Sequence, residues 1–147
     1  MDHGIEPPSE RRQLGKPESG SINLNCISNK GQFIVEIFDD GRGLALEKLY
    51  QNALKSEIFQ PGQSRPDDQL IADLVFHSGF STAEKVTEIS GRGVGMDAVK
   101  QFLEERGGSI EIILTGGDEG ESYRPFITRI TLDVGCTLPV SVLAKAS

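Results

Sequence analysis

The sequence predicts an α+β chain folded as a two-layer α/β sandwich, and two observations carry that prediction. Strand-period segments come in hairpin-style pairs, 21–27 with 33–38 and 109–114 with 126–132. Helix-period segments are grouped between those pairs, over 45–55, 67–75 and 96–106, which is not the strict strand–helix alternation of a parallel α/β sheet. A third observation bears on function. Glycine-rich segments stand at the end of one strand and ahead of one helix, where backbone N–H groups are free to meet a ligand.

From Ser21 to Ile27 the apolar Ile22, Leu24 and Cys26 alternate with Asn23 and Asn25, the period-two signature of a half-buried strand. Ser28-Asn29-Lys30-Gly31 reads as a turn into a second strand, Phe33 to Phe38. That strand runs straight into Asp39-Asp40-Gly41-Arg42-Gly43-Leu44. From Ala45 to Lys55, Leu46, Leu49, Tyr50, Ala53 and Leu54 fall on one helix face, which is expected to cover the sheet beside the aspartates. Gln60 to Pro66, with two prolines and a glycine, breaks the chain before a short helix led by Asp67 and Asp68 and carrying Leu70, Ile71, Leu74 and Val75.

Residues 56–95 thus form a long interrupted connection ending in glycines, a candidate lid. Met96, Val99 and Leu103 define a helix from Met96 to Arg106 that Gly107-Gly108 stops. Strands at Ser109 to Leu114 and Phe126 to Leu132 flank an acidic, glycine-rich turn from Thr115 to Ser122. Residues 1–135 read as one domain and 136–147 as its last strand or a C-terminal tail.

Composition narrows the function classes. A length of 147 residues suits one domain, and 37% apolar with 25% charged residues is ordinary for a soluble globular chain. The net charge of −7, with basic residues scattered, argues against a nucleic-acid groove. No apolar run approaches the roughly 20 residues that span a bilayer, and Met1 is not followed by a signal-peptide pattern, so direct membrane insertion is not expected and the cytoplasm is. Cys26 and Cys136 lie far apart and read as two free thiols.

The chemistry rests on two segments. In Gly91-Arg92-Gly93-Val94-Gly95 alternating glycines let backbone N–H groups approach an anion, and the helix opened by Met96 adds its own unpaired N–H groups and the positive end of its dipole. That run alone is weak, since it resembles the dinucleotide fingerprint without the sixth-position glycine. Asp39-x-Gly41-x-Gly43 adds a second signal: a carboxylate at a strand end can accept from an exocyclic amine such as adenine's, while two glycines let the backbone bend beneath the ring.

The run from Gly79 to Lys100, Gly-Phe-Ser-Thr-Ala-Glu-Lys-Val-Thr-Glu-Ile-Ser-Gly-Arg-Gly-Val-Gly-Met-Asp-Ala-Val-Lys, resembles the ATP-binding domain of chemotaxis-type (CheA-like) histidine kinases, in the GHKL ATPase superfamily. Met1 to Glu6, Arg11 to Gly20 and Asp39 to Leu44 resemble it too, so the likeness covers residues 1–115 and fades toward the C-terminus. It implies the Bergerat-type sandwich, with a mixed sheet covered by helices on one face. It implies ATP and Mg²⁺ as cofactors, with nucleotide contacts from Asp39, Gly41, Gly43, Ser81, Thr82, Gly91, Arg92, Gly93, Val94, Gly95 and Met96, and with His3 near the phosphates. The family's magnesium-holding residues fall upstream of Met1, so an N-terminally truncated domain without a metal site of its own is expected, with apolar area bared on one sheet face.

The implied function is to supply the γ-phosphate for autophosphorylation of a histidine on a separate phosphoacceptor domain. Response regulators then receive it, within a homodimeric parent coupled to chemoreceptors and adaptors through other domains. Duller readings stay open. Asp39 could only start a turn, Ser81 and Thr82 could only cap, Asp97 could only favour a helix dipole, and Phe76 and Phe80 could only anchor the lid. Ser78 stands where the family carries proline, and the later Gly-Thr-x-Phe element has only Gly120-Glu121 or Gly135-Cys136-Thr137 as stand-ins. A nucleotide-binding regulatory module or an inactive remnant without phosphotransfer is the alternative.

Overall fold

A computed structural model describes residues 4–29, 31–78 and 95–133. In chain order they form α1 (Pro8–Gln13), β1 (Ile22–Asn29), β2 (Gln32–Asp39), β3 (Leu44–Ala45), α2 (Leu46–Lys55), α3 (Asp68–Asp73), a 3-10 turn (Leu74–Phe76), α4 (Met96–Glu104), β4 (Ser109–Leu114), β5 (Tyr123–Arg124) and β6 (Phe126–Asp133). The α+β assignment and the order of the expected elements hold.

Local chemistry explains the element ends. Gly31 takes φ +85 at the turn between β1 and β2, so the strands approach within two residues of each other in sequence and the hairpin is tighter than the four-residue turn expected. Asp67 caps α3 by accepting the N–H of Leu70 at 2.8 Å. Gly107, at φ +72, ends α4 in a Schellman pattern: Gly108 N–H donates to Leu103 O at 2.8 Å and Gly107 N–H to Glu104 O at 3.1 Å. The helix α1 was not expected; Pro8 sits at its first turn, where a fixed φ suits helix entry.

The main sheet has the order β1-β2-β6-β4, and every described ladder in it is antiparallel. The mixed sheet expected from the resemblance is therefore not formed among the described residues. The helical crossover does return β4 in the same direction as β2, but β6 inserts between them and pairs antiparallel with both. A second, two-stranded sheet joins β3 to β5, with Leu44 opposite Arg124.

The core lies between one sheet face and the helices. Leu46, Leu49 and Ala53 of α2, Ile71 and Ala72 of α3, Leu74, Leu44 and Ile112 form one buried cluster, with Leu114 and Phe126 packed against it. Within the connection expected as a lid, 56–95, Ile71, Ala72 and Leu74 join this core, Ile71 and Ala72 at 0% exposure, while Leu70 is 49% exposed. The remainder, 79–94, lies outside the described residues, as do Phe80 and the tail from 134 to 147. At the other end of the sheet β1 is bare, with Ile22 73% and Leu24 63% exposed.

Candidate nucleotide-binding site

The end of β2 delivers Asp39 to the turn that follows, and its Oδ1 accepts the N–H of Gly41 at 2.8 Å. Gly41 must be glycine for a reason the sequence hides: a Cβ there would run into the carbonyl oxygen of Gly4 and into Asp39 Oδ1. The segment around Gly4 passes directly against the turn, and Gly4 O accepts the N–H of Arg42 at 2.8 Å. Gly43 is demanded twice, by φ +87 and by the carbonyl of Arg124 in β5, which a Cβ would strike. Asp39, Gly41 and Gly43 thus form one compact turn closed on both sides by other parts of the chain.

Gly95 and Met96 stand at the start of α4, where Gly95 O accepts the N–H groups of Ala98 at 3.1 Å and Val99 at 3.3 Å. A Cβ on Gly95 would strike Asp97 Oδ1, which places that carboxylate over the helix start, in keeping with the dipole reading of Asp97. His3, Ser81, Thr82, Gly91, Arg92, Gly93 and Val94 lie outside the described residues.

Sequence reasoning missed four charged residues behind the turn. Arg11, at 0% exposure, donates to Glu6 Oε2 at 3.2 Å, Asp40 Oδ2 at 2.8 Å, Asp40 O at 3.3 Å and Ser19 O at 3.3 Å. Lys16 Nζ donates to Glu6 Oε1 at 2.7 Å, Asp40 O at 2.9 Å and Gly41 O at 3.0 Å. Two carboxylates and two cations balance, which is what lets Glu6 remain ionised at 3% exposure.

Burial alone would push the Glu6 carboxyl up, yet the Lys16 hydrogen bond, its own backbone N–H and the charges of Lys16 and Arg11 hold it below its ordinary value. Asp40 is held down first by the backbone N–H of Ser21 and then by Arg11; Arg11 is raised chiefly by its bond to Asp40. The sequence signal for this cluster was the resemblance of the 1–6, 11–20 and 39–44 segments, which assigned no role to Glu6, Arg11, Lys16 or Asp40.

Other features stand apart from the turn. A groove of about 460 Å³ along the outer edge of β4, lined in part by Phe76, Lys100, Glu111 and Ile113, includes none of the candidate nucleotide residues. Phe76 packs against the core with Lys100 Nζ 5.3 Å above its ring. Among the described residues no group of three or more His, Cys, Asp or Glu side chains could hold a metal ion. Among them also, Cys26 is an exposed free thiol and no helix is long and apolar enough to cross a membrane.

The family model described as histidine kinase-, DNA gyrase B-, and HSP90-like ATPase matches residues 2–137. The chain is 40% identical over 112 residues to a chemotaxis protein CheA of Rhizobium meliloti, covering 76% of this chain and 15% of the relative. It is 43% identical over 124 residues to a chemotaxis protein CheA of Klebsiella aerogenes, covering 84% and 19%. It is 44% identical over 112 residues to a sensor histidine kinase CheAY of Helicobacter pylori, covering 76% and 14%. The chain therefore spans between 14% and 19% of the length of these relatives. With a match over nearly its whole length and a glycine-framed aspartate turn closing β2, the chain belongs to the histidine kinase-, DNA gyrase B- and HSP90-like ATPase family.

Proposed function

We propose that this chain is the ATP-binding kinase domain of a chemotaxis-type sensor histidine kinase. The observation that carries the reading is the turn at the end of β2, in which Asp39 Oδ1 is held by the Gly41 N–H at 2.8 Å, in a chain whose relatives bear the names chemotaxis protein CheA and sensor histidine kinase CheAY. Asp39 then accepts the exocyclic amine of adenine, and Gly41 and Gly43 let the turn pass beneath the ring. Ser81, Thr82, residues 91–96 and His3 are the candidates for the phosphates, and the connection 56–95 for a closing lid.

Phosphoryl transfer asks the protein mainly for positioning and charge stabilisation, and this chain's part is to hold the nucleotide with its γ-phosphate presented. The acceptor in this reading is a histidine on a separate phosphoacceptor domain, and response regulators receive the phosphate next. Coupling to a chemoreceptor and adaptor complex, a homodimeric parent and a cytoplasmic location belong to the same proposal.

The test is a thermal melt with and without ADP or ATP, in the presence and absence of Mg²⁺, repeated on Asp39→Asn. Ligand at about 100 times its dissociation constant stabilises by roughly 2.7 kcal/mol. A shift in the parent chain that disappears in Asp39→Asn is the expected outcome; an unchanged melt in the parent chain rejects the reading. The alternative reading is a nucleotide-binding regulatory module or inactive remnant without phosphotransfer. Labelled ATP and a phosphoacceptor domain supplied in trans separate the two, because only a kinase domain moves label to the acceptor.

A further inference from the structure

We infer that Lys16 is a positioning residue for nucleotide binding: with Arg11 and Glu6 it sets the tilt of the Asp40–Gly41 peptide and so aims the Asp39 carboxylate at its ligand. The inference rests on the adenine reading of Asp39 given above and deepens it. One peptide unit contains both the carbonyl oxygen of Asp40 and the N–H of Gly41, and it is planar and trans, so the two point in opposite directions. On the carbonyl side the oxygen accepts from Lys16 Nζ at 2.9 Å and from Arg11 Nη1 at 3.3 Å. On the other side the N–H donates to Asp39 Oδ1 at 2.8 Å. Two cations pulling on the oxygen therefore turn the N–H onto Asp39 and occupy Oδ1, which leaves the orientation of Oδ2 determined.

Lys16 also fixes the next peptide, donating to Gly41 O at 3.0 Å, and its third donor goes to Glu6 Oε1 at 2.7 Å. All three ammonium hydrogens are thereby used, two of them on consecutive carbonyls of the nucleotide turn. Glu6 anchors this arrangement from the same segment whose Gly4 carbonyl accepts the N–H of Arg42. The two cations differ in one respect that makes the inference testable: the Arg11 side chain has no exposure, whereas that of Lys16 is 31% exposed. Removing the Lys16 charge leaves Arg11 on Glu6 and opens no core cavity, so it loosens the turn without dismantling the fold.

The experiment compares ADP affinity by titration calorimetry with the melting temperature of the unliganded chain, for the parent chain, Lys16→Met and Lys16→Arg. Lys16→Met is expected to bind ADP about tenfold more weakly, a change of about 1.4 kcal/mol, and to melt at a lower temperature because buried Glu6 loses one of its two cations, while still unfolding in one cooperative transition. Lys16→Arg, which can still donate to both carbonyls, is expected to recover most of the affinity. Lys16→Gln serves as the neutral variant if Lys16→Met does not fold, with the same expectation of weakened binding. Parent-like ADP affinity in the neutral variant overturns the inference, as does a loss that Lys16→Arg leaves unrepaired. A parent chain that binds no ADP overturns instead the adenine reading on which this rests, so the two failures are told apart.

Discussion

Two charged networks serve this molecule in opposite ways. Behind the aspartate turn, Glu6, Arg11, Lys16 and Asp40 join two stretches of chain, 6–16 and the end of β2, with Glu6 and Arg11 out of solvent. Across the sheet, Asn25, Glu36, Arg129 and Glu111 line up on neighbouring strands, each opposite the next in register. Arg129 donates to Glu36 Oε1 at 2.8 Å and to Glu111 Oε1 at 3.3 Å, with its side chain 36% exposed. The ladder is a consequence of strand order and could slip or thin without leaving a charge stranded. The buried cluster has no such tolerance, because an ionised carboxylate without its partners inside protein is far costlier than one at the surface.

The strongest way to break that comparison is Arg11→Met. It leaves Glu6 buried with Lys16 alone and strips the Asp40 carboxylate of its cation, and the melting temperature is expected to fall by more than about 10 °C or the cooperative transition to vanish. Circular dichroism on heating checks this, and a melt close to that of the parent chain would mean the cluster is ornamental.

Acid is the next largest effect. Glu6 and Asp40 are both held below their ordinary values of 4.5 and 3.8, so folded carboxylates bind protons more weakly than unfolded ones. The stability they contribute is complete above those ordinary values and is lost as pH falls through the lower folded ones. Glu36 is lowered too, chiefly by Arg129, and titrates with the same sign. Melting curves from pH 7 to pH 2 are expected to decline steeply below about pH 4.5, and Glu6→Gln is expected to change that decline more than Glu36→Gln. The reverse ranking would place the pH response on the ladder.

Glycine substitutions sharpen the contrast at smaller scale. Gly43 and Gly31 both have positive φ, but a Cβ on Gly43 strikes the Arg124 carbonyl while one on Gly31 meets nothing within 4 Å. Gly31→Ala is therefore expected to cost only the conformational penalty, about 1–2 kcal/mol, and Gly43→Ala clearly more. Urea titrations of the pair decide it, and equal losses would show that the β5 contact adds nothing. Smallest of all, Arg129→Met is expected to move the melt by no more than about 3 °C, and that difference to shrink in high salt. A salt-independent loss would indicate that the ladder is shielded from solvent.

Much of the fold was legible because its signals are local. The strand β4 was expected at its observed limits, and α2 within one residue, since side-chain period is written into eleven or fewer consecutive residues. Elements that owe their existence to neighbours were not legible: β3 and β5 are two residues each, too short to show a period, and α1 hid behind Pro7 and Pro8. The aspartate turn was found from Asp39, Gly41 and Gly43, but for only part of the right reason. Gly41 is required by the passage of Gly4 and Gly43 by β5, contacts that reach across 37 and 81 positions of chain.

By itself, then, the sequence determined the class of fold, the order of the expected elements and the location of the aspartate turn, because hydrophobic period and glycine placement act over a few bonds. The tertiary structure alone decided that β6 separates β2 from β4, that Ile71, Ala72 and Leu74 enter the core, and that Glu6, Arg11 and Lys16 grip the turn at Asp40. Those outcomes depend on which distant segments come to lie within hydrogen-bond distance, and charge pairing between residues 6, 11, 16 and 40 leaves no periodic mark to read.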